Sequence, residues 1–113
     1  MASRKLAEEH SAADALAALG SRTRLRVFKA LVRAGPQGAN IGTLQKHLDV
    51  PATTLAHHLA TLSEAGLLSQ QRVGREVICT ADYKALNWVL EYVRAECCEG
   101  IESSMGEMAK AEA

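Results

Sequence analysis

The stretch "IGTLQKHLDVPATTLAHHLATLSEAG" constrains the fold more tightly than any other part of the chain. It holds a short helical segment, "IGTLQKHL", and a longer one, "ATTLAHHLATLSEAG", with only Asp49, Val50 and Pro51 between them. Aspartate can accept a left-handed backbone angle because its short polar side chain bonds locally. The fixed φ of proline suits the opening turn of a helix. Gly66 is placed to end the second segment. Leu55, Leu59 and Leu62 recur at helical spacing and are expected in the core. Next come "LLSQQRV" and "REVICTA", two strand-like runs hinged at Gly74, which read as a β-hairpin. Two helices joined by a tight turn and followed by a hairpin make a winged helix-turn-helix.

Further helices are expected at both ends. "LAEEHSAADALAAL" is rich in Ala and Leu and stops at Gly20. Ser21 is placed to cap "RTRLRVFKALVRA", whose Leu25, Phe28, Leu31 and Val32 form one apolar face. "GPQGAN" breaks the chain. The last helix is expected over "DYKALNWVLEYVRAECC", stopping at Gly100, with residues 101–113 as a frayed acidic tail. The fold class is therefore α+β, mostly helical, in a single domain over residues 1–113. A chain of this length holds one core and buries about two-thirds of its unfolded surface. No apolar run approaches the roughly 20 residues of a membrane span, and "MASRKLAEEH" lacks a signal-peptide core. A cytoplasmic location is expected, with Cys79, Cys97 and Cys98 kept as thiols.

The net charge is zero, which argues weakly against nucleic acid, but its distribution argues the other way. Residues 20–75 carry eight Lys or Arg against Asp49 and Glu64, a balance of +6, whereas residues 76–113 stand at −5. The two regions are suited to different partners. No convincing nucleophile, base and orienting group, and no phosphate loop, marks an enzyme.

Three segments, "ALGSRTRLRVFKAL", "LAHHLATLSEAGLL" and "QQRVGREVIC", resemble the ArsR/SmtB family of metal-responsive repressors over roughly residues 12–98. The resemblance implies a homodimer whose first and last helices form the interface, with the fourth helix in the major groove of double-stranded operator DNA, an inverted repeat. A recognition helix offers side chains of its first turns to base edges. Thr53, Thr54 and His57 are expected to project outward there, as contacts or, for the threonines, as first-turn caps. His58 is either a contact or a partly buried histidine. Arg72 and Arg75 flank the hairpin turn and are placed to reach a minor groove or a phosphate.

In the last helix Tyr83, Leu86, Leu90, Val93 and Cys97 recur at spacings of three and four, a seam suited to a partner helix. Cys97 continues the seam and Cys98 falls beside it. Glu96 and Glu99 flank the pair at a helix C-terminus, so these thiols should resist ionisation, which disfavours a redox-active thiolate. Zinc fits poorly, because it wants four ligands at wider spacing. Trivalent arsenic or antimony is thiophilic and settles for two or three sulfurs. Cys97 and Cys98 are thus candidate metalloid ligands and Cys79 a possible third, with no other cofactor expected. Cys79 precedes a helix of about 24 Å, at about 1.5 Å per residue, so it could join the pair only across a dimer.

Comparison with the family sharpens this reading. Some members carry Cys-x-Cys on the third helix, where this chain has "IGTLQKHL". Others bind zinc through Asp and His on the last helix, which here has no histidine. Some arsenic-sensing members carry Cys-Cys-x-Gly at the end of the last helix with a third cysteine beyond, where this chain has Ser103 and Ser104. The expected function is a repressor released from DNA by arsenite, methylarsenite or antimonite. The alternatives are a thiol-redox or persulfide-responsive repressor and a winged-helix protein-interaction module.

Overall fold

The computed structural model describes residues 2–101, with side chains from Lys5 onward. The expected frayed tail past Ile101, with Ser103 and Ser104, lies outside the described residues. The elements of the described residues follow in the order α1 (Ala2–Leu19), α2 (Arg22–Ala34), a 3-10 turn (Gly35–Gln37), β1 (Ala39–Asn40), α3 (Ile41–Leu48), α4 (Ala52–Glu64), β2 (Leu68–Val73), β3 (Glu76–Ala81) and α5 (Tyr83–Arg94), the strands forming one antiparallel sheet.

Helix ends follow from local chemistry. Ser21 Oγ accepts from the Arg24 amide at 3.3 Å, as expected of an N-cap. Asn40 caps α3 by accepting from the Thr43 amide at 2.7 Å. Asp82 caps α5 by accepting from the Ala85 amide at 2.9 Å. Between α3 and α4, Asp49 does adopt the left-handed region at φ 53°. Pro51 stands one place before the helix, as its N-cap, rather than inside its first turn. Gly66, at φ 79°, closes α4 as its backbone amide bonds back to Ser63 and the amide of Leu67 bonds back to Leu62.

The core is mostly leucine. Leu55, Leu59 and Leu62 of α4 are fully buried and meet Leu31 of α2, Leu44 and Leu48 of α3, Leu67, and Cys79 of β3. Among the described side chains of α1, Ala12, Ala15 and Ala18 are buried, small groups at a spacing of three that let its backbone lie close to the rest, and Leu19 packs partly buried against the core. In α2 the inward face is Val27, Phe28 and Leu31, with Val32 partly buried against it; Leu25 is 43% exposed, contrary to its expected place in the core. At about 100° per residue Leu25 stands about 160° around the helix from Val27, so the arc that buries Val27, Phe28 and Leu31 leaves Leu25 outside it.

The sheet order is β1-β3-β2. In the hairpin, Val73 pairs with Glu76 and leaves Gly74 and Arg75 as a two-residue turn, with Gly74 at φ 65°. The short strand β1 falls inside "GPQGAN", where only a chain break was expected; Ala39 pairs with Cys79 and Asn40 with Ile78. Gly38, at φ 69°, makes this possible, because a side chain there would collide with the Cys79 carbonyl and stand 2.7 Å from Thr80 Oγ1.

The last helix is shorter than expected. It ends at Arg94; Ala95 is extended at ψ 141°, and Glu96 and Cys98 have positive φ of 67° and 65°. Cys97 and Cys98 therefore lie past the helix, not on its seam. Two physical facts fit this early stop: beyond Val89 no described residue of this segment is buried, and Glu96 and Glu99 oppose the negative end of a helix dipole.

Candidate nucleic-acid interface and cysteine pair

Burial of Leu55, Leu59 and Leu62 forces the other side of α4 outward. Thr53, Thr54 and His57 are exposed there. Because Pro51 occupies the N-cap position, Thr53 and Thr54 are not the cap, and neither hydroxyl has a hydrogen-bond partner among the described residues. Both are free for a ligand. His58 is half-buried, with a buried Nδ1 that has no hydrogen-bond partner. Its pKa is held below the ordinary value, first by desolvation, then by the Arg24 guanidinium and by His57, whose ring centroid is 5.9 Å away.

The basic segment divides into structural and free cations. Arg24 Nε donates to the Ala18 carbonyl at 2.7 Å, and Arg26 Nη2 to that of Leu48 at 3.4 Å, so both tie α2 to the C-terminal ends of other helices. Arg72 and Arg75 are exposed on the wing, and neither forms an ion pair among the described residues. Sequence reading passed over Lys46, whose signal was helical geometry: with Leu44 and Leu48 buried, it must face solvent from α3.

The cysteine pair is built by two successive turns. The Cys97 amide donates to the Arg94 carbonyl at 3.0 Å and that of Glu99 to the Glu96 carbonyl at 3.2 Å. Ala95 at φ −51°, ψ 141° followed by Glu96 at φ 67° is type II geometry, and Cys98 repeats the positive φ at the same position of the second turn. Neighbouring side chains that would diverge by about 100° on a helix thus converge, and the two exposed sulfurs stand 3.2 Å apart. The Cys97 thiol is pushed up from its ordinary pKa by its hydrogen bond with Cys98 and by desolvation. Cys79 is elsewhere: fully buried in β3, its thiol raised by burial and accepting from Gln70 Nε2 at 3.8 Å. Among the described residues, no three His, Cys, Asp or Glu side chains gather into a group able to hold a metal ion.

The expected α5 seam splits in two. Tyr83 and Leu86 pack against their own core, where the Tyr83 hydroxyl donates to the Val32 carbonyl at 3.3 Å. Val89, which the seam omitted, is the buried residue of α5. Leu90 and Val93 are 51% and 61% exposed, and Leu6 and Leu16 of α1 are exposed as well. No helix of the described residues is long and apolar enough to cross a membrane.

Comparisons with known proteins agree with this geometry. The family described as a helix-turn-helix domain matches residues 19–71, from the end of α1 into β2. No curated protein sequence matches. An ArsR-like transcriptional regulator from Rhodococcus sp. RHA1 is 26% identical, with a TM-score of 0.66 over 91% of this chain and 90% of that one. The homodimeric winged helix-turn-helix DNA-binding domain of a possible ArsR-family regulator from Mycobacterium bovis is 19% identical, with a TM-score of 0.67 over 84% and 88%. A possible transcriptional regulator for arsenical resistance is 21% identical, with a TM-score of 0.65 over 83% and 95%. With its helix-turn-helix match, its wing and these structural neighbours, the chain has the winged helix-turn-helix fold of ArsR-like transcriptional regulators.

Proposed function

We propose that the chain is a homodimeric repressor that leaves an inverted-repeat operator when a trivalent arsenical or antimonite binds Cys97 and Cys98. The exposed apolar residues of α1 and α5 form the subunit interface, α4 enters the major groove, and Thr53, Thr54 and His57 meet base edges while Arg72 and Arg75 hold the backbone.

The observation that carries the effector reading is the convergence of two exposed thiols to 3.2 Å. A single soft ion can take both sulfurs. Capture of a methylarsenite-type species, with one organic group and two hydroxyls on arsenic, is an exchange without redox change. Two As–S bonds form, two As–O bonds break, and each thiol proton leaves with a hydroxyl as water. Two thiols match two exchangeable positions, so the methylated form suits the pair better than inorganic arsenite, which offers a third. Cys79 in its buried position adds no third sulfur within its own chain. A redox sensor requires a ready thiolate, and the raised Cys97 pKa works against it.

Arsenical binding beside α5 biases the subunit arrangement and so the spacing of the two α4 helices. Such coupling is typically worth about 1–3 kcal/mol, or roughly 5–150-fold in DNA affinity. Titrating methylarsenite and arsenite against the protein–DNA complex should release the unmodified protein, while Cys97→Ser and Cys98→Ser still bind DNA and no longer respond. Cys79→Ser should leave release by methylarsenite intact. Normal release of the Cys97→Ser and Cys98→Ser variants would show that the pair is not the sensor.

A further inference from the structure

Between α3 and the wing lies a cleft of about 490 Å³ whose lining includes Asn40, Gly42, Thr43, Lys46, Arg75 and Glu76. Its two sides are tied together by one residue. Asn40 pairs with Ile78 in the sheet, accepts from the Thr43 amide through Oδ1, and donates through Nδ2 to Glu76 Oε1 at 3.3 Å. The wing is thereby fixed against the start of α3, and the Glu76 carboxylate is drawn toward β1. The two cations of the cleft, Lys46 and Arg75, come from different elements, are exposed, and form no ion pair among the described residues. The lining carries these two cations against one carboxylate, Glu76, which is held by Asn40, and the net positive charge left at the cleft favours an anion from outside.

The shape indicates which anion. A second cleft, of about 590 Å³, continues along α3 past Gln45 and Asp49 to Pro51, and Gly42 and Lys46 line both. Together they run along the exposed face of α3 from the wing to Pro51, the N-cap of α4, two residues before Thr53. Gly42 adds no side chain to obstruct it. The negative Asp49 lies at the α4 end, so the attractive part of the groove is the part beside the wing. A groove joining a base-reading helix to a wing suits a polyanionic strand better than a free ion.

We propose that Lys46 and Arg75 clamp one backbone phosphate of bound duplex DNA in the cleft between α3 and the wing. The assignment rests on the DNA-binding reading above, and it adds Lys46 as a positioning residue. A phosphate clamp is blind to base sequence, so a mixed-sequence DNA duplex is a sufficient probe. Affinity of the full chain is measured across a salt series for the unmodified protein, Lys46→Gln, Lys46→Arg, Arg75→Gln and the double variant, with Lys29→Gln on exposed α2 as control. Lys46→Gln should weaken binding about three- to tenfold and flatten the log–log salt slope by about 0.9 for each bound protomer. Lys46→Arg should restore both, and Lys29→Gln should change neither. Because one phosphate is shared, the double variant should lose less than the product of the two single losses. If the unmodified protein binds no duplex, the DNA reading itself falls and the clamp with it. If it binds and Lys46→Gln keeps its affinity and slope, or the losses multiply fully, the clamp alone is overturned.

Discussion

At His58 the buried ring nitrogen links stability to pH. Its folded-state pKa lies below the ordinary 6.5, chiefly through desolvation and then through Arg24 and His57. Below pH 6.5 the unfolded chain takes up a proton there more readily than the folded one, so stability falls as pH falls through about 6.5, until the folded pKa is passed. Urea unfolding between pH 8 and 5 should show this loss, and His58→Gln should make the profile flatter; an unchanged profile would assign the acid sensitivity to other groups. Gly38 sets a second residue-scale constraint. At φ 69° and ψ −165° its backbone is close to glycine-only, and a Cβ would meet the Cys79 carbonyl and Thr80. Gly38→Ala should destabilise the fold by about 1–3 kcal/mol, read as a lower denaturation midpoint, whereas Gly35→Ala, with open space around its Cβ, should cost less.

Among the elements, the proposed function divides recognition between α4 and the wing. Thr54 is exposed on the first turn of α4 with a free hydroxyl, and Arg75 sits at the tip of the hairpin. Thr54→Ala should alter preference at particular base pairs, by about 1–3 kcal/mol where a contact is lost, and leave the salt slope alone. Arg75→Ala should weaken all sequences alike and reduce the slope. Affinities on matched and mismatched duplexes separate the two. An unaltered base profile for Thr54→Ala would remove that residue from the reading surface. The turns after α5 are also an element in their own right. Their positive φ values at Glu96 and Cys98, not helical phase, bring the sulfurs together.

For the whole molecule, the apolar residues left outside α1 and α5 set the expected assembly. Leu6, Leu16, Trp88, Leu90 and Val93 are all exposed in the isolated chain, and such a patch marks an interaction surface. Val93→Glu, at 61% exposure, should leave the fold intact, shift sedimentation toward the monomer, and weaken DNA binding. Two protomers on one duplex place their recognition helices about 34 Å apart, so dimer loss should cost operator affinity far more than non-specific affinity. A variant that sediments and binds like the unmodified protein would move the interface elsewhere.

What the sequence determined by itself was everything written in local chemistry and short periods. The left-handed turn at Asp49, the Ser21 cap, the stop at Gly66 and the leucine ladder of α4 all depend on neighbours within a few residues. From these the winged helix-turn-helix and the outward face carrying Thr53, Thr54 and His57 could be read. The tertiary structure decided what depends on distant partners. Strand β1 is two residues long and has no period; it exists because Gly38 lets it approach β3, some 40 residues away. Spacing alone gave one seam on α5, through Tyr83, Leu86, Leu90 and Val93, and only packing showed that Val89 faces the core while Leu90 and Val93 do not. The cysteine pair followed the same rule. Its adjacency was visible in the sequence, but the meeting of its sulfurs depends on where α5 stops, and α5 stops near the point at which the core ends.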